Sequence, residues 1–115
     1  MCNSDDILGH DPIGCSPVST VNGRSMTEGE IEETIDSFVR CAKNLRKIGS
    51  DGIQIHCAHG YLYSHFLSPA LNRRADKWGG SFENRIRIVY ETAKEIRRAV
   101  GNDFIVSVKM NSCDY

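Results

Sequence analysis

The chain has 115 residues, 40% hydrophobic and 25% charged, with 14 basic residues against 15 acidic ones and a formal charge of −1. That is the size and make-up of one small domain, and the even mixing of charge excludes the electrostatic footprint of a nucleic-acid or anionic-membrane binder. The five cysteines, Cys2, Cys15, Cys41, Cys57 and Cys113, are odd in number and include no Cys-x-x-Cys pair, which argues for free thiols in a reducing compartment, hence a cytoplasmic location, and against a disulfide framework.

Residues 1–24 are rich in Gly, Pro, Ser, Asn and Asp and are expected to be irregular or disordered. Residues 1–11 carry Asp5, Asp6 and Asp11 and no apolar run, so no secretory signal is expected, and no stretch of the chain approaches the apolar length needed to span a bilayer. A helix should start at Thr27, where Thr27 and Glu30 have the spacing of a capping box. Ile31, Ile35, Phe38, Val39, Ala42, Leu45 and Ile48 follow at intervals of three and four and form one stripe, with Gly49 as terminator. Ile53-Gln54-Ile55-His56 reads as a short buried strand after the Asp51-Gly52 turn. The connection from Cys57 to Gly80 is too long to be a simple link and should carry function or short helical turns. Ser81 can cap a second helix whose inner face is Ile86, Val89, Tyr90, Ala93, Ile96, Arg97 and Val100, closed by Gly101. Phe104 to Met110 is a second strand, apolar until Lys109.

The order helix, strand, helix, strand predicts an α/β fold with the two strands parallel. Two strands leave both sheet edges open, whereas parallel sheets are normally covered on both faces. A closed (β/α)₈ barrel takes about 250 residues. The chain is therefore expected to be a fragment of a barrel, and open sheet edges allow self-association in a non-catalytic interaction module.

Chemistry is concentrated at the carboxyl end of the first strand, the functional face of parallel α/β folds. His56 and His59 could donate hydrogen bonds to a carbonyl or anionic oxygen, and Tyr61 could act as a general acid. The same His-x-x-His pair is also compatible with ordinary polar loop residues. A zinc site built from His56, Cys57, His59 and His65 lacks a second ligand cluster, and Cys57 would point away from His56 if the strand continues. Lys109 is either a strand end emerging into solvent or a cation facing an electron-rich cofactor. Arg73 and Arg74, near Asp76 and Glu83, suit ion pairs and backbone contacts that shape the loop.

His56-Cys-Ala-His-Gly-Tyr-Leu62, Phe66-Leu-Ser-Pro69, Asn72-Arg-Arg-x-Asp76 and Gly79-Gly-Ser-x-Glu-Asn-Arg85, in this order and spacing, resemble the Old Yellow Enzyme family of FMN-dependent NAD(P)H:flavin oxidoreductases, or ene-reductases. The resemblance covers residues 25–115, and Pro12-Ile13-Gly14-x-Ser16-Pro17 is a fainter match. It implies a partial TIM (β/α)₈ barrel, from its third helix to its fifth strand, with FMN as cofactor, NAD(P)H as reductant and an enone or related small molecule as acceptor. It implies, too, that His56 and His59 bind the activating oxygen of the acceptor, and that Tyr61 gives a proton to the α-carbon once hydride has reached the β-carbon. Lys109 stands where the family places a basic residue against the flavin. Cys57 replaces a common Gly and Trp78 a common Tyr. The strands that would bind the FMN phosphate lie outside this part of the barrel, so the chain alone is expected to be inactive.

Overall fold

In the computed structural model, residues 13–16 and 23–113 are described. The expectation of irregular chain at residues 1–12 and 17–22 lies outside them. Among the described residues seven elements follow in order: β1 (Ile13–Gly14), β2 (Arg24–Ser25), α1 (Glu28–Lys47), β3 (Gly52–Cys57), α2 (Leu62–Leu67), α3 (Phe82–Val100) and β4 (Ile105–Met110).

Helix α1 begins where its capping box predicts. Thr27 Oγ1 accepts the Glu30 N–H at 3.3 Å, and Glu30 Oε2 accepts the Thr27 N–H at 2.8 Å, so each side chain satisfies an N–H that the helix leaves unpaired. Arg24 grips the same carboxylate at 2.6 Å, and this bond, followed by that from Thr27, lowers the Glu30 pKa to about 2. A group whose pKa falls on folding stabilises the fold above its unfolded value of 4.5 and loses that contribution as pH drops toward 2. Thr27→Ala should destabilise the protein by about 1 kcal/mol, read as a lower urea midpoint with an unchanged slope. An unchanged midpoint would contradict the role of the cap.

The stripe on α1 buries Ile31, Ile35 and Ala42, with Phe38, Val39 and Leu45 packed against the core. Ile48 departs from the expected pattern and is 80% exposed. It is the C-cap residue, and at Gly49 (φ 84) the chain turns away before the stripe can close over it. Helix α3 starts at Ser81, whose hydroxyl accepts the Asn84 N–H at 3.3 Å. Its buried face is Ile88, Val89, Thr92, Ile96 and Val100. Tyr90, expected inside, is 63% exposed. Thr92 is buried in its place because its hydroxyl bonds both the Ile88 carbonyl and the Tyr63 hydroxyl, each at 2.7 Å.

Strands β3 and β4 are parallel, with Gly52 opposite Ile105 and His56 opposite Lys109. Side chains alternate between faces. Ile55 and Cys57 are buried on the face toward the helices, whereas Gln54 and Lys109 are exposed and His56 and Ser107 half-buried on the other. A side chain at Gly52 would put its Cβ within 2.5 Å of both the Cβ and the carbonyl oxygen of Ile105.

Within the segment expected to be irregular, Ile13–Gly14 instead pairs in parallel with Arg24–Ser25, and the Met26 N–H bonds the Gly14 carbonyl at 2.8 Å. The cause is long-range. The Arg74 guanidinium donates to the carbonyls of Cys15 at 2.9 Å and Met26 at 2.7 Å while pairing with Asp76 at 2.5 Å. Asp76 is held below the usual carboxylate range chiefly by this hydrogen bond from Arg74. Nearby, the Asn72 amide donates to the carbonyls of Phe66 and Trp78 at 2.8 and 2.9 Å and accepts the Arg74 N–H at 3.1 Å. The long connection is thus closed upon itself and upon the N-terminal segment.

Candidate active site

The candidate site grows from the tip of β3. Burial of Ile55 and Cys57 fixes the strand's inner face and, by alternation, turns His56 to the open one. After the buried Ala58 the chain reverses: His59 has φ 59 and Gly60 φ 74. For a residue with a Cβ this left-handed backbone costs about 1–2 kcal/mol relative to a right-handed one, although histidine is among the residues that adopt it more readily. The Tyr61 N–H closes the turn on the Ala58 carbonyl at 3.3 Å, and the Ser64 hydroxyl donates to the Tyr61 carbonyl at 2.7 Å. Tyr61 is the N-cap of α2 through its backbone, which leaves its side chain outside the helix and 43% exposed.

The turn brings three rings together. The His56 centroid lies 5.3 Å from that of His59 at an interplanar angle of 72°, and 5.0 Å from that of Tyr61 at 55°. Lys109, opposite His56 in register, is exposed on the same face of the sheet, about 4.8 Å away strand to strand. Two imidazoles, a phenol and an ammonium group therefore share one end of the sheet, and all four can donate hydrogen bonds.

The neighbouring residues take other parts. Tyr63 is buried, its ring 5.0 Å from that of Phe38 and tilted by 37°, and its hydroxyl is pushed up to about 12 by burial. Burial pushes the Cys57 thiol up to about 11; it lies on the opposite face of β3 from His56, so the zinc alternative that joined it to the imidazoles does not fit the sheet. Among the described residues no group of three or more His, Cys, Asp or Glu is placed to hold a metal ion. His65 is half-buried, which lowers its pKa, with an opposing hydrogen bond at the Gly60 backbone. Arg74 forms the ion pair and backbone contacts expected of it. The Trp78 indole is buried with no hydrogen-bond partner for its N–H among the described residues. The His59 N–H donates to Asn111 Oδ1 at 3.2 Å, a contact with no local signal in the sequence, because it depends on the fold bringing two strand tips together.

A sequence model of the NADH:flavin oxidoreductase / NADH oxidase family matches residues 1–115, the whole chain. The chain belongs to that family. It is 43% identical over 104 residues to an NADH oxidase of Thermoanaerobacter brockii, a match that covers 90% of this chain and 16% of that protein. Among solved structures of the family, a 2-naphthoyl-CoA reductase in complex with 2-naphthoyl-CoA superposes with a TM-score of 0.80 at 38% identity, over 85% of this chain and 16% of its own. An old yellow enzyme homologue from Zymomonas mobilis superposes with a TM-score of 0.79 at 29% identity, over 89% of this chain and 32% of its own. The chain thus spans less than a third of these oxidoreductases and forms a parallel-stranded αβαβ part of their TIM barrel. In a TIM barrel the strand tips that carry His56 and Lys109 lie on the face where active sites are built. No described helix is long and apolar enough to cross a membrane.

Proposed function

We propose that this chain supplies the acceptor-binding and proton-donating part of an FMN-dependent NAD(P)H oxidoreductase that reduces carbon–carbon double bonds conjugated to a carbonyl. The observation that carries the proposal is the convergence of His56, His59 and Tyr61, with ring centroids 5.0 and 5.3 Å apart, on the tip of one strand. The reductase relative bound to 2-naphthoyl-CoA, in which the carbon–carbon double bonds of the ring are conjugated to a thioester carbonyl, supports the class of acceptor.

The chemistry divides among the residues. His56 and His59 donate hydrogen bonds to the carbonyl oxygen, where negative charge accumulates as the β-carbon accepts hydride. Two preorganised donors draw electron density from the double bond and orient it. Tyr61, beside His56, gives its hydroxyl proton to the α-carbon and regains one from solvent. When bound, FMN supplies hydride-transfer chemistry between NAD(P)H and the acceptor. Lys109 fits such a group as an exposed cation on the open sheet face, in register with His56, where it can face the electron-rich edge of the flavin ring. The balance is one NAD(P)H and one proton consumed for each double bond saturated.

The test is a stoichiometry. Under anaerobic conditions, the flavin-loaded enzyme containing this chain should oxidise one NAD(P)H for each 2-cyclohexenone converted to cyclohexanone and leave cyclohexene untouched, since cyclohexene offers no oxygen to the histidines. Oxidation of NAD(P)H without the saturated ketone would sink the proposal.

A further inference from the structure

His59 is the one non-glycine residue with positive φ among the described residues, and its backbone is held from a distance. Its N–H donates to Asn111 Oδ1 at 3.2 Å, across 52 residues of sequence. Asn111 lies immediately beyond β4, two positions after Lys109. The turn has other ties: the Tyr61 N–H on the Ala58 carbonyl brackets His59 and Gly60, and the Ser64 hydroxyl on the Tyr61 carbonyl fastens the chain beyond them. The contact with Asn111 acts on the left-handed residue itself. Without that acceptor the Tyr61–Ala58 bond is left to hold the left-handed residue alone, and each opening of the turn toward the negative φ that side chains favour carries the imidazole away from His56.

We infer that Asn111 is a positioning residue: it holds the His59 backbone so that the two imidazoles face one site, and it joins the tip of β3 to the tip of β4 that carries Lys109. The inference rests on the role proposed above for His59. An asparagine suits the task because its amide oxygen accepts the N–H without placing a carboxylate beside the imidazoles, where a charge would favour their protonated forms.

The experiment is an NMR measurement on the purified protein and needs no turnover. Asn111→Leu should speed hydrogen exchange of the His59 amide roughly tenfold, the loss of one modest hydrogen bond, and abolish the nuclear Overhauser contacts between the His56 and His59 rings. Exchange at Ile55 and Ile96, in the core, should not change. Asn111→Asp, which keeps the acceptor, should retain slow exchange at His59 and the ring contacts. If the leucine variant does not fold, Asn111→Ser, too short to reach the amide, serves in its place. Unchanged His59 exchange and ring contacts on loss of the acceptor, or an equal loss in Asn111→Asp, would overturn the assignment. Failure of the cyclohexenone test would leave these results standing, so the two readings fail separately.

Discussion

Tyr61→Phe should slow reduction of an enone by the reduced, flavin-loaded enzyme roughly a hundred- to ten-thousandfold, the usual contribution of a positioned general acid, while reduction of the flavin by NAD(P)H keeps its rate. The prediction is sharp because of where the side chain sits. Tyr61 is 43% exposed and caps α2 through its backbone alone, with no side-chain hydrogen bond to the cap. Removing its hydroxyl breaks no hydrogen bond of the cap, so only the proposed proton donor is lost. Tyr63, two residues on, provides the control: its hydroxyl is committed to Thr92 at 2.7 Å inside the core, so Tyr63→Phe should cost stability and leave the acceptor step unchanged. Stopped-flow measurement of the two half-reactions separates the cases. Equal slowing of both half-reactions in Tyr61→Phe would contradict the proposed role as proton donor.

Arg74→Met should destabilise the protein by about 3 kcal/mol, the low end for breaking one side of a buried ion pair. The Arg74 side chain is only 8% exposed, and its loss takes one donor group at once from Asp76, which keeps the Trp78 N–H at 3.0 Å, and from the carbonyls of Cys15 and Met26. Asp76, 32% exposed, is partly rehydrated, which keeps the cost from being higher. Arg74→Lys should recover only part of the loss, since one ammonium group cannot reproduce a planar fork that serves a carboxylate and two carbonyls. Because the pKa of Asp76 is depressed, its contribution is present above the unfolded value of 3.8 and fades as pH falls below it. The stability difference between Arg74→Met and the parent should therefore narrow in acid. Chemical denaturation at neutral and acid pH measures both effects, and a loss at neutral pH of under about 1 kcal/mol, the size of an exposed pair, would show that the latch is dispensable.

These two residues also mark what could and could not be read from the sequence. The helices and the parallel strands were legible because their signals are local: a capping box at Thr27, apolar spacing along α1, the Ser81 cap and the β-branched run in β4. The edges of those patterns were less so. Ile48 continues the periodicity of α1 yet is exposed, because periodicity does not record where the chain turns away. Thr92 displaced Tyr90 from the core because a hydroxyl can be buried once it finds partners, and those partners, Ile88 and Tyr63, are visible only in three dimensions. The pairing of Ile13–Gly14 with Arg24–Ser25 was hidden for the same reason, since it depends on Arg74, 59 residues from Cys15. At the candidate site, His56, His59 and Tyr61 stand within six positions of one another and could be picked out together. Asn111 could not, because its contact with His59 spans two strand tips.

Gly52 faces Ile105 at the opposite end of the sheet from the candidate site, about 13 Å from His56 along the strand. Because any side chain at 52 would collide with Ile105, this glycine works as an alignment key for the two strands. A slip of one residue would put Ile53 against Ile105 and turn His56 and Lys109 to opposite sides of the sheet. The register that sets His56 beside Lys109 thus tolerates no methyl group at the strand's far end. Libraries that vary only the residues around His56 and Lys109 would never sample the position that keeps the two strands in step.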